Sequence, residues 1–195
     1  MVGTMIDLGG KRINKRGAFL APENINSKWC YINLERSTQP DIFADIEFLP
    51  LSKETANVIL CTEVLEHVSR PQECVNEIWR ILEPKGIAFV STPFLFPIHA
   101  DPYDFQRFTE EGLKYLFRNF CNIQIFPMGG YLGTIGMFID IGLAGITGQS
   151  LDKKITRRLL RSLAHFLYQA DLQHSTKNTP AWNKFTTGYF VVAKK

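Results

Sequence analysis

The segment from Pro93 to Thr109 concentrates groups able to hold or move a proton, with His99, Asp101, Asp104 and Arg107 set among Pro93, Pro97 and Pro102. Histidine ordinarily titrates near neutrality, so His99 is a candidate general base toward an acceptor hydroxyl, with Asp101 or Asp104 to orient its ring. Arg107 offers a planar cation to an anionic group on that acceptor. The alternative is that these polar residues hydrogen-bond one another and only fix a proline-rich loop. A second set is acidic: Asp7, Glu35 and Asp45, with the paired glycines Gly9 and Gly10. Glu35 lies 25 residues beyond Gly10, close to the about 20 that separate a glycine turn from the acid that grips a ribose. A nucleoside is the natural occupant, because glycines let the backbone approach a ligand with no side chain between. Taken alone the signal is weak, since the next glycine is Gly17 and GxGxxG is incomplete.

A dinucleotide carries a pyrophosphate that needs several glycine amides and a helix start. The stretch after Gly10, Lys11-Arg12-Ile13-Asn14-Lys15-Arg16-Gly17, has no good helical face. S-adenosylmethionine has no phosphate. It offers an adenosine, a carboxylate for Lys11 or Arg12, and a sulfonium that favours nearby acids.

These residues need a scaffold, and the hydrophobic pattern supplies one. Short apolar runs at 4–8, 31–34, 57–61, 87–91, 122–126 and 189–193 read as strands, and 41–49 mixes apolar and acidic residues before Pro50. Val75, Ile78, Trp79 and Leu82 repeat at the spacing of one helix face over 71–82, and Pro84-Lys85-Gly86 stops it. Thr109 caps a second helix to about 117, with Glu110 and Glu111 in its first turn, where the helix dipole favours acid. Strands alternating with helices give an α/β fold: a Rossmann-like, seven-stranded, mainly parallel sheet with helices on both faces and an antiparallel final strand pair. In such a sheet the ligand sits at the carboxyl ends of the strands, where Asp7, Glu35 and Asp45 fall.

The ordered series Asp45-Ile46-Glu47-Phe48-Leu49-Pro50, Val58 to Val68 (including Thr62-Glu63-Val64-Leu65-Glu66-His67), Pro71, Glu77, Arg80-Ile81-Leu82, Pro84, Gly86 and Ser91-Thr92-Pro93 strongly resembles the type 11 group of class I S-adenosylmethionine-dependent methyltransferases. The resemblance covers roughly residues 3 to 126. It implies S-adenosyl-L-methionine as cofactor. It further implies that Asp7, Gly9 and Gly10 form the methionine-binding loop, Glu35 the ribose acid, Asp45 and Ile46 the adenine-side contact, and Thr62 with Glu63 the wall after the fourth strand. The run from Pro97 to Thr109 is similar to the Pro-x-His-x-x-Pro-x-Asp-x-x-Arg-x-Thr pattern of a polysaccharide-associated subset. That points to a small-molecule or glycan acceptor, methylated on O or N, with His99, Asp101 and Arg107 on the catalytic side. Glu66 and His67 either contribute to the site or cap and brace the helix that begins near Pro71. The sequence departs from the group where Lys11 and Arg12 follow Gly10 and Pro22 interrupts the place of the first helix. A catalytically silent binding or regulatory module is therefore the rival reading. A nicotinamide-dependent dehydrogenase is a further rival, with no complete phosphate fingerprint to support it.

The 195 residues are 45% apolar with net charge +3, which suits one methyltransferase domain over 1–195, divided into a cofactor-binding core at 1–126 and a remainder at 127–195. So small a charge gives no reason to expect a nucleic-acid partner. Cys30, Cys61, Cys74 and Cys121 lack CxxC spacing, no metal ligands are assigned, and reduced thiols without a secretory signal point to the cytoplasm. The glycine-rich apolar stretch 128–148 contains Asp140 and reads as a close-packed helix or covered loop rather than a membrane span. Over 151–170, Leu151, Ile155, Leu159, Leu163, Phe166, Leu167 and Ala170 make an apolar stripe, with Lys153, Lys154, Arg157, Arg158 and Arg161 beside its start. This basic amphipathic helix either packs on the sheet with a solvated basic face or makes peripheral contact with a membrane or an anionic lipid-linked substrate.

Overall fold

The computed structural model describes residues 3–13, 28–99, 102–146, 151–175 and 184–195. Seven strands form one sheet: β1 (Thr4–Leu8), β2 (Lys28–Asn33), β3 (Ile42–Phe43), β4 (Ala56–Thr62), β5 (Leu82–Pro93), β6 (Asn122–Pro127) and β7 (Gly188–Lys194). Their order is β3-β2-β1-β4-β5-β7-β6. The first five pair in parallel, and the β5-β7-β6 end is antiparallel. Leu8, Ile32, Ile59 and Val90 are fully buried along it. The apolar runs mark these strands because a parallel strand covered on both faces has no solvated side to alternate toward.

Helix α1 (Pro71–Ile81) buries Cys74, Val75, Ile78 and Ile81. The sequence stripe ran through Trp79 and Leu82 instead. Trp79 is 39% exposed, its ring lying under the Lys195 ammonium, and Leu82 already belongs to β5. The chain leaves α1 straight into that strand. Leu82 pairs with Ala56 and Ile87 with Val58, so Glu83–Gly86 is an irregular insertion in which Lys85 takes a positive φ of 70°. Pro84-Lys85-Gly86 therefore marks a bulge inside a strand rather than the loop before it. Helix α2 (Glu110–Leu116) starts as its cap foretells, with Thr109 Oγ1 accepting from the Gly112 N–H at 3.1 Å.

The described chain forms two compact units. One comprises 1–93, 98–126 and 190–195, and the other 94–97 and 127–189. In the second, the glycine-rich stretch is helix α3 (Tyr131–Gly145), packed against α4 (Leu151–Ser175). The glycines permit that approach: a Cβ on Gly136 would stand 3.2 Å from the Ala164 carbonyl oxygen. Asp171 of α4, 5% exposed, accepts the N–H groups of Gly130 and Leu132 at 2.7 and 3.1 Å. A carboxylate at a helix start satisfies orphan donors and meets the positive end of the helix dipole.

The α4 stripe has a different phase from the one its apolar residues draw. Ala164 and Asp171 are buried and Leu160, Leu167 and Tyr168 partly so, whereas Leu159 and Phe166 are 65% and 66% exposed. At 100° per residue these two sets lie on opposite sides of the helix. No helix among the described residues is long and apolar enough to cross a membrane.

Candidate functional site

The carboxyl ends of β1, β2 and β4 lie side by side, with Asp7 opposite both Tyr31 and Leu60. The chain runs outward from β1 through β2 to β3, then returns to β4 on the other side of β1. An open parallel sheet leaves a ligand crevice at such a reversal. Gly9 turns the chain there with a φ of +76°, and its N–H donates to the Ile32 carbonyl at 2.8 Å. Asn33 Nδ2 donates to the Gly9 and Gly10 carbonyls at 2.8 and 3.2 Å, clamping the turn to the end of β2. A Cβ on Gly9 would lie 2.5 Å from Val64 Cγ2, and one on Gly10 would overlap the Asp7 carboxylate. Only glycine fits both positions.

Glu35 stands two residues past β2, its N–H held by Asn33 Oδ1 at 2.8 Å and its side chain 52% exposed. Its carboxylate accepts from Lys11 Nζ at 3.1 Å and from Ser37 Oγ at 2.6 Å. Lys11 thus spans to Glu35, and Arg12 pairs with Asp41, where the sequence offered both to a ligand carboxylate. Thr62 ends β4 exposed. Glu63 follows with φ 53°, its carboxylate accepting from Ser91 Oγ at 2.7 Å. Asp45 and Ile46 belong to the turn after β3: Asp45 Oδ1 accepts the Glu47 N–H at 2.9 Å, and Ile46 is buried. Asp7, Gly9, Gly10, Lys11 and Glu35 therefore come together, with Thr62 and Glu63 closing the neighbouring strand.

A second cluster forms where the loops after β4 and β5 meet. Glu66 and His67 lie in a 3-10 turn, Leu65–His67. Glu66 is wholly buried, and neither carboxylate oxygen has a hydrogen-bond partner. Burial, aided by the neighbouring Glu63 and Asp104 charges and opposed by Arg107, pushes its carboxyl up to about 8. His67 Nδ1 is 2.5 Å from the Tyr103 carbonyl oxygen, which can only accept, so Nδ1 carries the proton. Its Nε2 is 3.5 Å from Glu66 Oε1. The His99 ring turns Nδ1 toward Asp104 Oδ2 at 3.4 Å and Nε2 toward Glu66 Oε1 at 3.9 Å. Asp104 also accepts the His99 backbone N–H at 2.8 Å.

Of the two carboxylates offered to orient His99, Asp104 lies beside its ring; Asp101 lies outside the described residues. Arg107 forms a two-pronged ion pair with Asp104, whose side chain is 3% exposed, holding that carboxyl well below the usual carboxylate range. Arg107 Nη1 also donates to the Gln106 carbonyl at 2.9 Å. The helix-bracing offered for Glu66 and His67 falls to Glu47, whose carboxylate accepts from Ser69 Oγ, the Arg70 N–H and Arg70 Nε at 3.1, 3.0 and 2.8 Å. Sequence reasoning missed the convergence of Glu66, His67 and His99. The usable signal was that two adjacent parallel strands, pairing Thr62 with Ser91, deliver their following loops to one edge.

Residues 13–90 match a family model described as a methyltransferase domain, type 11. A ubiquinone biosynthesis O-methyltransferase of Rickettsia bellii is 27% identical over 143 residues, 65% of this chain and 54% of that protein. The chain thus spans about half the length of the curated relatives it matches. A SAM-dependent methyltransferase from Archaeoglobus fulgidus superposes with a TM-score of 0.59 at 12% identity, covering 100% of this chain and 86% of that one. Haemonchus contortus phosphoethanolamine N-methyltransferase 2, solved with S-adenosyl-L-methionine, gives 0.58 at 10% identity, covering 100% and 49%. These likenesses show the fold.

Proposed function

We propose that the chain is an S-adenosylmethionine-dependent methyltransferase acting on an O or N of a small polar acceptor, a reading supported by the match of residues 13–90 to a methyltransferase-domain family model and by the methyltransferase-like fold. The observation that carries this reading is the Gly9–Gly10 turn at the strand-order reversal, clamped by Asn33, with Glu35 beside it. S-adenosylmethionine suits these residues: the glycine turn presents main chain at the crevice, and Glu35 presents a half-exposed carboxylate to ribose hydroxyls. The bound cofactor supplies an electrophilic methyl on a sulfonium. Lys11 releases Glu35 to meet the methionine carboxylate, Asp7 lines the methionine side, Asp45 and Ile46 the adenine side, and Thr62 with Glu63 the wall. His99, oriented by Asp104, takes the proton of an acceptor hydroxyl. A surface-glycan sugar is the acceptor that the Pro97–Thr109 pattern supports. The Rickettsia bellii O-methyltransferase supports oxygen as the atom methylated.

A cofactor-binding module without turnover is the second reading, favoured by the internal pairing of Lys11 and Arg107. Thermal melting with S-adenosylhomocysteine, S-adenosylmethionine and NAD in parallel tests the proposal. A ligand that binds only the native state raises the melting temperature by mass action. The two sulfur compounds should raise it and NAD should not; no shift at millimolar S-adenosylhomocysteine would contradict the assignment.

The second unit supports peripheral contact with anionic lipid. Ile155, Leu159 and Phe166 form an exposed apolar face on α4, opposite the face on α3 and flanked by Lys154, Arg158 and Arg161. Apolar insertion beside cations is the chemistry of an interfacial helix.

A further inference from the structure

We propose that Glu66, His67 and His99 form a binding site for one divalent transition-metal ion, Zn2+ or a close analogue, at the acceptor side of the candidate site. Each offers one ligand atom, and the three atoms lie within 4.8 Å of one another. A tetrahedral ion with bonds of about 2.0 to 2.2 Å spaces its ligand atoms about 3.3 to 3.6 Å apart. The Glu66–His67 separation of 3.5 Å already has that value. The Glu66–His99 separation of 3.9 Å, and a spread of up to 4.8 Å among the three atoms, close by a swing of the partly exposed His99 ring.

Three features point to a cation rather than to chance proximity. The Glu66 carboxylate is fully buried with both oxygens unsatisfied, and a buried polar group in that state calls for a missing partner. Each imidazole already has its other nitrogen engaged, His67 Nδ1 by the Tyr103 carbonyl and His99 Nδ1 by Asp104. That is how proteins orient metal-ligating histidines and fix the tautomer that presents Nε2. Finally, two imidazoles and one carboxylate suit a first-row transition ion, whereas magnesium and calcium prefer oxygen alone.

Three protein ligands leave a coordination position for water or an acceptor hydroxyl, as in catalytic rather than structural sites. A hydroxyl bound there loses its proton more readily. His99 then serves as a ligand, and its proton-accepting role belongs to the metal-free protein. The catalytic part of this inference rests on the methyltransferase reading; the binding part does not.

The test uses chelator-stripped full-length protein without a polyhistidine tag, titrated with Zn2+ by calorimetry and with Co2+ by visible absorption. Wild type should take up one ion per chain with a tetrahedral or five-coordinate Co2+ spectrum. Glu66→Gln, His67→Ala and His99→Ala should each weaken binding at least about tenfold, and Asp104→Asn, which acts through His99, by about 10- to 100-fold. Circular dichroism identifies variants that fail to fold, and Glu66→Gln, which keeps the side-chain shape, is the decisive one. No stoichiometric uptake by wild type, or unchanged uptake by folded Glu66→Gln and either histidine variant, would overturn the proposal. S-adenosylhomocysteine binding on the same samples separates the two readings: metal uptake without it contradicts only the methyltransferase, and the reverse only the metal site.

Discussion

Glu47 shows how one buried carboxylate ties two segments together, joining the turn after β3 to the start of α1 through Ser69 and Arg70. Burial raises its pKa, but the Arg70 backbone, the Arg70 guanidinium and the Ser69 hydroxyl together outweigh burial and leave it lowered from 4.5. A carboxylate with a depressed folded pKa contributes stability above its unfolded value, and that contribution is lost as pH falls through the folded one. Glu47→Gln should therefore cost about 1 to 2 kcal/mol at pH 7, modest because the Arg70 side chain is half exposed. Urea unfolding should show the gap to wild type narrowing well below pH 4.5. For His99→Ala the expected signature is a split: turnover on an acceptor should fall about 10²- to 10⁴-fold with S-adenosylhomocysteine affinity nearly intact. Loss of both together, with lower thermal stability, would reduce His99 to a loop brace. At this scale the nearness of Asp7, Gly9, Gly10 and Glu35 was legible in the sequence, because a glycine turn and a strand-end acid recur at characteristic spacings. The sequence hid the pairing of Arg107 with Asp104 and of Lys11 with Glu35, because opposite charges within reach find each other before any ligand does, and spacing does not say which pairs close.

Helix α3 depends on its neighbour more than on its own sequence. Its glycines cost helix propensity, and it is held by close approach to α4 and by Asp171 at its first N–H groups. Asp171→Ala should destabilise the protein by about 2 to 3 kcal/mol, since it leaves two donors unmet and removes a charge from the helix start. Hydrogen exchange should localise the loss to α3 and the adjoining part of α4. The exposed face of α4 makes a separate forecast. The protein should sediment with vesicles of phosphatidylserine at low salt and release at high salt, and Phe166→Glu should abolish binding. Sedimentation unaffected by Phe166→Glu would assign binding elsewhere. Most elements were legible in the residues: Thr109 caps α2 as its type suggests, and the buried strands carry their apolar runs. The phases of α1 and α4 were not, because both helices carry apolar residues on more than one face and only the packing partner decides between them. Nor was the start of β5, where a proline and a glycine sit inside a bulge that the pairing of Leu82 with Ala56 makes part of the strand.

In the whole molecule, the reversal of strand order gathers residues far apart in the chain: the Gly9–Gly10 turn, the Glu35 carboxylate and the loop after β4 meet at the carboxyl ends of three parallel strands. We propose that this edge holds S-adenosylmethionine and that methyl transfer depends on that binding. Calorimetric titration of S-adenosylhomocysteine into wild type and Glu35→Ala measures it. A charge-assisted hydrogen bond is worth about 1.5 to 3 kcal/mol. Wild type should therefore bind one equivalent, and the variant about 10- to 150-fold more weakly at unchanged stoichiometry. An absence of heat in wild type, or an unchanged affinity in a folded Glu35→Ala, would contradict the account.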